Sequence, residues 1–264
     1  MRHLLGLPPA NPTVHVLRLQ GAIGAQGRGL SEAGLAQAID KAFARKPKAV
    51  ALQINSPGGS PAQSALIGSR IRRLADEKNV PVLAFVEDVA ASGGYWLASV
   101  ADEIFVDASS IVGSIGVISA GFGLHEFIRN HGVERRVHTA GKSKSQLDPF
   151  RPEDPEDVAR LRRILDQVHE TFIAHVKERR GDRLADDPAI FTGEIWVGAE
   201  AVKMGLADAV GHMMPVLKER FGKKVRVRSV TPRRRSLLSR LGAEALSGAV
   251  DAIEERAAYA RFGL

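Results

Sequence analysis

The stretch VPVLAFVEDVAASGGYWLAS, residues 80–99, decides the fold class, because an apolar run passes into a serine, two glycines and a helix-like segment. The run VPVLAFVE (80–87) is typical of a strand buried on both faces. The same order of strand, glycine turn and helix occurs at AVALQIN (49–55), SPGGS (56–60) and residues 61–77. This alternation predicts an α/β fold with a mostly parallel sheet, whose turns share the edge where ligands bind.

The rest of the chain continues this alternation. We predict further strands at 13–19, 102–107, 113–118 and 134–140, and further helices at 31–45, 124–132, 198–208 and 236–262. A long helix is predicted from about residue 153 to Gly181, because Val158, Leu161, Leu165, Val168, Phe172 and Val176 share one face. Pro232 and the arginines that follow it predict a boundary between a domain at 1–230 and a basic helical extension at 231–264.

The composition is that of a soluble globular protein, with 44% hydrophobic and 25% charged residues among 264 and no cysteine. The absence of cysteine excludes disulfides, thiolate nucleophiles and cysteine-based metal sites, and it suits a reducing compartment. The start MRHLLGLPPANPT (1–13) has too short an apolar run for a signal peptide, and no run of about 18 apolar residues occurs anywhere. We expect a cytoplasmic protein with no cofactor and no metal.

The net charge of +7 is concentrated late in the chain, since residues 216–240 contain ten Lys or Arg and one acid, Glu219. The rest of the chain is nearly neutral, so we expect no nucleic-acid partner. The extension admits two interpretations. It forms a helix docked on its own body or on a neighbouring subunit, or it contacts anionic lipid peripherally through residues 233–262.

Ser92 is the first candidate for chemistry. A serine at the start of a helix is usually an N-cap, but it is also well placed as a nucleophile. The Gly93 amide could then share an oxyanion hole with Gly58 or Gly59 from the turn INSPGGS (54–60). Those two glycines could equally serve a turn that needs positive φ.

The base for such a serine is not obvious. None of the eight histidines lies in a glycine-rich turn, and His138, on a predicted strand, is the best placed of them. The loop AGKSKSQLDPF offers Lys142 and Lys144, and Ser114 could orient the amine. A lysine accepts a proton only when neutral, and lowering a lysine pKa from about 10.4 to about 7.5 costs roughly 4 kcal/mol. Without burial or a nearby positive charge, a lysine in a loop is usually solvated and stays protonated.

Five motifs in order resemble one known family: INSPGGS, DVAASGGYWLAS, IVGSIGVI, AGKSKSQLDPFRP and TGEIWVGAEAVKMGLAD. Over residues 13–230 the chain resembles the signal peptide peptidase A family, serine proteases of the ClpP/crotonase-like fold, built from repeated ββα units. The resemblance implies that Ser92 is the nucleophile and that Lys144, rather than Lys142, is the general base.

The same resemblance implies a lysine-orienting role for Ser114 and oxyanion amides at Gly58 or Gly59 and at Gly93. It further implies peptide substrates and a homo-oligomer with the shape of a ring or dome. Ser145 and Asp148 depart from the residues that the family often carries beside the lysine and before Pro-Phe.

Two other functions stay open. A crotonase-like acyl-CoA enzyme would share the fold and the glycine amides, but it would have little use for a serine and lysine pair. An inactive scaffold that binds peptides is the third alternative. The leading hypothesis is a serine endopeptidase that cleaves signal-peptide-like remnants or unfolded segments through a Ser-Lys dyad and an acyl-enzyme.

Overall fold

The fold is that of a computed structural model that describes residues 11–24, 29–141, 143–230 and 256–264. Its centre is an eight-stranded sheet with the order β6-β5-β3-β2-β1-β8, in which β4 pairs with β3 and β7 pairs with β4. The strands are β1 Thr13–Gln20, β2 Ala49–Ser56, β3 Val82–Ala91, β4 Glu103–Val106, β5 Ile111–Gly113, β6 Ile195–Val197, β7 Ala209–Val210 and β8 Arg226–Ser229.

All strand pairs are parallel except β5 with β6, which is antiparallel. The helices are α1 Glu32–Ala42, α2 Pro61–Lys78, α3 Gly93–Ser99, α4 His125–Asn130, α5 Pro155–Arg180, α6 Gly198–Lys203 and α7 Met213–Phe221. The mixed α/β class follows directly from this order of elements.

Side chains alternate between the two faces of the sheet, and each face has its own core. Leu17, Leu52 and Ala84 point to the face covered by α1, α2 and α3. Val16, Ala51 and Leu83, each one position away, join the smaller core that includes Leu217 of α7. The central strands are buried on both faces because helices cover both, and this explains their continuous apolar runs.

Two predicted strands require correction. The strand predicted at 113–118 is β5, which ends at Gly113, because Ser114 adopts φ 52 and turns the chain out of the sheet. Residues 134–140 lie outside the sheet and are mostly exposed. They form no ladder, and a strand without a partner is not stable in water.

The remaining predicted elements agree with the structure to within a few residues at their ends. The long helix runs from Pro155 to Arg180, with Asp154 as its N-cap and Gly181 at its end. Residues 256–260 are helical. The rest of the predicted C-terminal helix, 236–255, lies outside the described residues, and the domain boundary at 230/231 stays a prediction.

Candidate active site

A cavity of about 560 Å³ opens where β2 and β3 end. Ser92, Ser114, Gly58, Gly59 and Gly93 all line it. The cavity wall also includes α5 and residues from the glycine-rich turn after Thr192. Five of the six residues named from the sequence as site residues therefore meet around one space, at the sheet edge that the order of elements predicts.

The Ser92 backbone is strained, with φ 51 and ψ −123. A non-glycine residue in such a conformation costs on the order of 1–3 kcal/mol and persists only where its surroundings hold it. The Ser92 N–H donates to Gly113 O at 2.8 Å, and its carbonyl accepts from Trp96 N–H at 3.0 Å. Its side chain forms no capping bond with α3. The interpretation of Ser92 as an ordinary N-cap is therefore wrong.

The backbone N–H groups of Gly59 and Gly93, which lie beside Ser92, have no acceptor among the described residues. The Gly58 N–H, in contrast, donates to Ser56 Oγ at 3.3 Å. A Cβ added at Gly58 would lie 2.8 Å from Ser92 Cβ, and one added at Gly93 would lie 2.4 Å from Ser64 Oγ. The turn at Gly58 needs glycine because a Cβ there would also lie 2.8 Å from Ala91 O and 2.9 Å from Gly93 N, whereas the clash at Gly93 is with a side chain of α2.

Ser114 forms the opposite side of the cavity. Its φ of 52 places it in the left-handed region, and its N–H donates to Glu194 O at 2.6 Å. The Gly116 N–H donates back to Ser114 O at 2.9 Å, so residues 114–116 form a tight turn. This wall is joined to Ser92 through β3 and β5, whose last paired residues are Ala91 and Gly113.

Helix α5 lines the cavity and packs against α3. The Phe172 ring stacks on Trp96 at a centroid distance of 5.1 Å, and the His175 ring stacks on it at 4.3 Å. His175 Nε2 also lies 3.0 Å from Ser99 Oγ. Burial lowers the pKa of His175 to about 4, so the ring is neutral at pH 7. These contacts fix α5 against the helix that follows Ser92.

Lys144 lies in a different environment. It is exposed, in a turn where its N–H donates to Gly141 O at 3.2 Å. Among the described residues, those that line the cavity do not include it. The structure of the single chain thus brings together the serine and the glycines but not the lysine. Lys142 lies outside the described residues.

The lysine segment, residues 117–153, contains no buried residue in its described part. It is held to itself by Leu124 N–H to Pro149 O at 2.6 Å and by the ion pair of Arg135 with Asp148 at 3.2 Å. The pKa of Asp148 lies below its ordinary value, chiefly because the Phe150 N–H donates to it. Asp148, a departure from the family pattern, is thus occupied within the segment.

The residues that line the cavity include a histidine to which the sequence motifs gave no role. His169 of α5 lines the cavity, and its Nε2 lies 2.9 Å from Ile115 O. The pattern contained a usable indication, because His169 stands between Leu165 and Phe172 at helical spacing and so falls on the apolar face. His138, the histidine preferred from the sequence, is exposed and not in a strand.

The last described residues reach the same cavity. Ala258, Arg261 and Phe262 line it, and the Tyr259 hydroxyl donates to Asn55 O at 2.8 Å. Residues 256–264 are therefore docked on the body of the protein, which agrees with the first interpretation of the extension for this part of it.

Within the described residues, no three His, Asp or Glu side chains lie together as a metal site would require. No helix in that same part of the chain combines the length and apolar character needed to cross a bilayer.

Comparison with solved structures agrees with the class of protein that the fold defines, a protein of the ClpP/crotonase-like fold. A solved structure of the 1510-N membrane-bound stomatin-specific protease, a lysine-to-alanine mutant in complex with a substrate peptide, has a TM-score of 0.56 and 17% identity. It covers 88% of this chain and 97% of its own. This likeness confirms the predicted fold.

The chain belongs to peptidase family S49, because the model of "Peptidase family S49" matches residues 75–226. The chloroplastic serine protease SPPA of Arabidopsis thaliana is 32% identical over 79% of this chain and 32% of its own length. The resemblance to the signal peptide peptidase A family is thereby confirmed.

A second relative has a different name. The Na(+)/H(+) antiporter NhaA of Brucella melitensis biotype 1 is 47% identical over an alignment of 271 positions, which covers 95% of this chain and 37% of the antiporter. This chain therefore spans about a third of the length of both relatives.

Proposed function

We propose that this protein is a serine endopeptidase in which Ser92 attacks the peptide carbonyl and Lys144 acts as the general base. The observation that carries the proposal is the backbone of Ser92, which is held at φ 51 in a cavity without any capping bond from its side chain. Strain of this kind is kept where a function requires it. The family of the chain supports the same chemistry.

The amides of Gly59 and Gly93 are the oxyanion donors in this proposal, because both lack an acceptor beside Ser92. Each such donor stabilises the transition state by about 3 kcal/mol. The Gly58 N–H is less suitable, since Ser56 Oγ already accepts from it. The glycines contribute through their backbones, so their side chains take no part.

Lys144 takes the serine proton and later protonates the leaving amine, and water then hydrolyses the acyl-enzyme. Because Lys144 is exposed in the single chain, we propose that it reaches Ser92 only in an assembled homo-oligomer. Phe122 is 86% exposed and Phe127 60% exposed in the lysine segment, and apolar side chains of this kind are typical of subunit contacts. Ser114 orients the lysine amine in this assembly.

Peptides that enter as extended segments are the proposed substrates, among them signal-peptide-like remnants and unfolded segments. The cavity suits such a chain because Trp96, Phe172 and Ile118 give it an apolar lining. A cytoplasmic location and peripheral lipid contact through 233–262 stay predictions. Ion transport, which the name of the Brucella relative states, belongs to a protein of which this chain matches 37%, and we do not propose it here.

The test is mass spectrometry of the products that the purified protein makes from a peptide library. We expect internal cleavages that disappear in Ser92→Ala and persist in Ser109→Ala, which replaces an exposed serine of a loop. Hydrolysis of an acyl-CoA by the wild-type protein, with the library intact, would favour the crotonase-like alternative. Binding of library peptides without cleavage would favour the scaffold.

A further inference from the structure

We propose that His169 is a positioning residue of this site, which holds the wall at residues 114–116 in place by donating a hydrogen bond to Ile115 O. The proposal rests on the proposed function, because the wall that His169 holds carries Ser114. It adds a residue to which neither the sequence motifs nor the dyad assigns a role.

The hydrogen bond has one possible direction. His169 Nε2 lies 2.9 Å from Ile115 O, and a carbonyl oxygen can only accept. Nε2 therefore carries a proton. An imidazole already committed to a backbone carbonyl through Nε2 is suited to a fixed structural contact rather than to removing the Ser92 proton through that nitrogen.

The position of His169 relative to Ser92 is fixed by the rest of α5. Phe172, one turn further along, stacks on Trp96 of the helix that begins beside Ser92. The Arg179 guanidinium donates to the carbonyls of Ser99 and Val100 at 3.2 and 3.1 Å. Because α5 is anchored to α3 at these points, His169 links the nucleophile side of the cavity to its opposite wall.

The wall needs this support. Ser114 has φ 52, and the sheet ends at Gly113, so residues 114–116 are outside the β ladder. Ser114 N–H to Glu194 O fixes the start of the turn. The bond from His169 fixes its middle, at the carbonyl between Ser114 and Gly116. A displacement of about 1 Å at such a wall can cost on the order of 100-fold in rate.

The first experiment compares peptide hydrolysis by wild type, His169→Phe and His169→Gln, with Glu170→Gln as a control at the next, exposed position of α5. We expect His169→Phe to lower kcat at least tenfold with less than a threefold change in KM. Gln retains an N–H donor on its side chain, so His169→Gln should recover kcat to within threefold of wild type. The control should equal wild type.

A double-mutant cycle tests whether His169 acts through the wall. In a Ser114→Ala background, His169→Phe should lower kcat less than twofold further, because the group that it positions is already absent. If the loss of kcat in the double variant equals the product of the losses in the two single variants, the proposal is overturned. It is also overturned by His169→Phe activity within twofold of wild type, or by equal losses in the Phe and Gln variants.

A third readout does not depend on hydrolysis. Amide hydrogen exchange of residues 113–118, measured in Ser92→Ala protein, should become at least tenfold faster with His169→Phe and stay unchanged with Glu170→Gln. Unchanged exchange in His169→Phe overturns the proposal even if that variant folds poorly enough to lose activity. If Ser92→Ala still cleaves peptides, the proposed function fails, while the exchange measurement still decides the role of His169.

Discussion

The turn that carries Ser92 and the segment that carries Lys144 differ in almost every physical respect. Ser92 stands between a strand buried in the centre of the sheet and a helix in which every residue is buried. The lysine segment has no buried residue in its described part. One half of the proposed machinery is thus built by the core of a single chain, and the other half is presented at its surface.

This difference is the reason that we propose subunit contacts for the segment with Lys144 and not for the turn with Ser92. The strain at Ser92 is balanced by hydrogen bonds within the fold, such as its N–H to Gly113 O at 2.8 Å. Lys144 has no comparable surroundings in the single chain, where it is exposed. We therefore expect that assembly must cover the lysine segment before the protein is active.

The largest expected effect is at the preformed half, which is the turn with Ser92 that the core of the single chain builds. Ser92→Ala should lower peptide hydrolysis by at least about 10³-fold, since removal of a catalytic serine leaves only residual catalysis by binding and the oxyanion hole. Circular dichroism should show an unchanged fold, and steady-state kinetics should show the loss of peptide hydrolysis. Retention of a tenth or more of the wild-type rate would mean that another group performs the chemistry.

The next effect concerns the surface half, which is the lysine segment with Lys144. Lys144→Ala should abolish measurable turnover, because the serine loses its base, whereas Lys142→Ala, two positions away, should leave turnover within about threefold of wild type. Both are measured with the same fluorogenic peptide. Equal losses in the two variants would show that the segment matters through its charge rather than through one amine.

A smaller, graded effect should follow from disturbing the exposed apolar side chains of the lysine segment. Phe122→Asp combined with Phe127→Asp should shift the protein toward monomers in light scattering and lower turnover about tenfold or more, without changing the melting temperature of the monomer. Phe122→Leu is the matched conservative control and should behave as wild type. Full activity of a proven monomer would contradict the need for assembly.

The smallest effect tests how firmly α5 is held on the preformed half. Burial lowers the pKa of His175 to about 4, while an unfolded histidine titrates near 6.5. Between these values the unfolded chain binds more protons, so the free energy of unfolding should fall by about 3 kcal/mol as the pH drops from about 6.5 to about 4. His175→Phe should flatten this slope and keep the ring stacked on Trp96.

Urea unfolding at several pH values measures that slope. His138→Asn, a change at an exposed position, serves as the control and should keep the wild-type slope. If His175→Phe shows the same slope as wild type, the buried histidine is not the source, and the contact between α5 and α3 is weaker than its geometry indicates.

Much of the preformed half was predictable because local patterns determine it. The apolar runs that became β2 and β3, each followed by glycines, predict both the sheet and the edge at which Gly59, Ser92 and Gly93 meet. The strain at Ser92 was not predictable in the same way. A serine before a helix is usually a cap, whereas the conformation of Ser92 depends on long-range contacts such as its bond to Gly113 O.

The surface half was less predictable. Residues 134–140 are predicted as a strand, but a strand forms only where a partner is available, and that depends on the whole sheet. Helical spacing places His169 on the apolar face of α5, but the role that we propose for it depends on a contact 54 residues away in the sequence, which the spacing does not encode. The position that we propose for Lys144 beside Ser92 requires contacts with other copies of the chain, and the sequence of its own segment does not encode them.

The most direct test of the account measures the reaction of Ser92 with a fluorophosphonate probe, with the labelled residue located by mass spectrometry. In the assembled wild-type protein and in Lys142→Ala we expect rapid labelling of Ser92, and in Lys144→Ala labelling slower by about 10²-fold or more. Equal labelling of Ser92 with and without the Lys144 amine would contradict the claim that this lysine activates the serine.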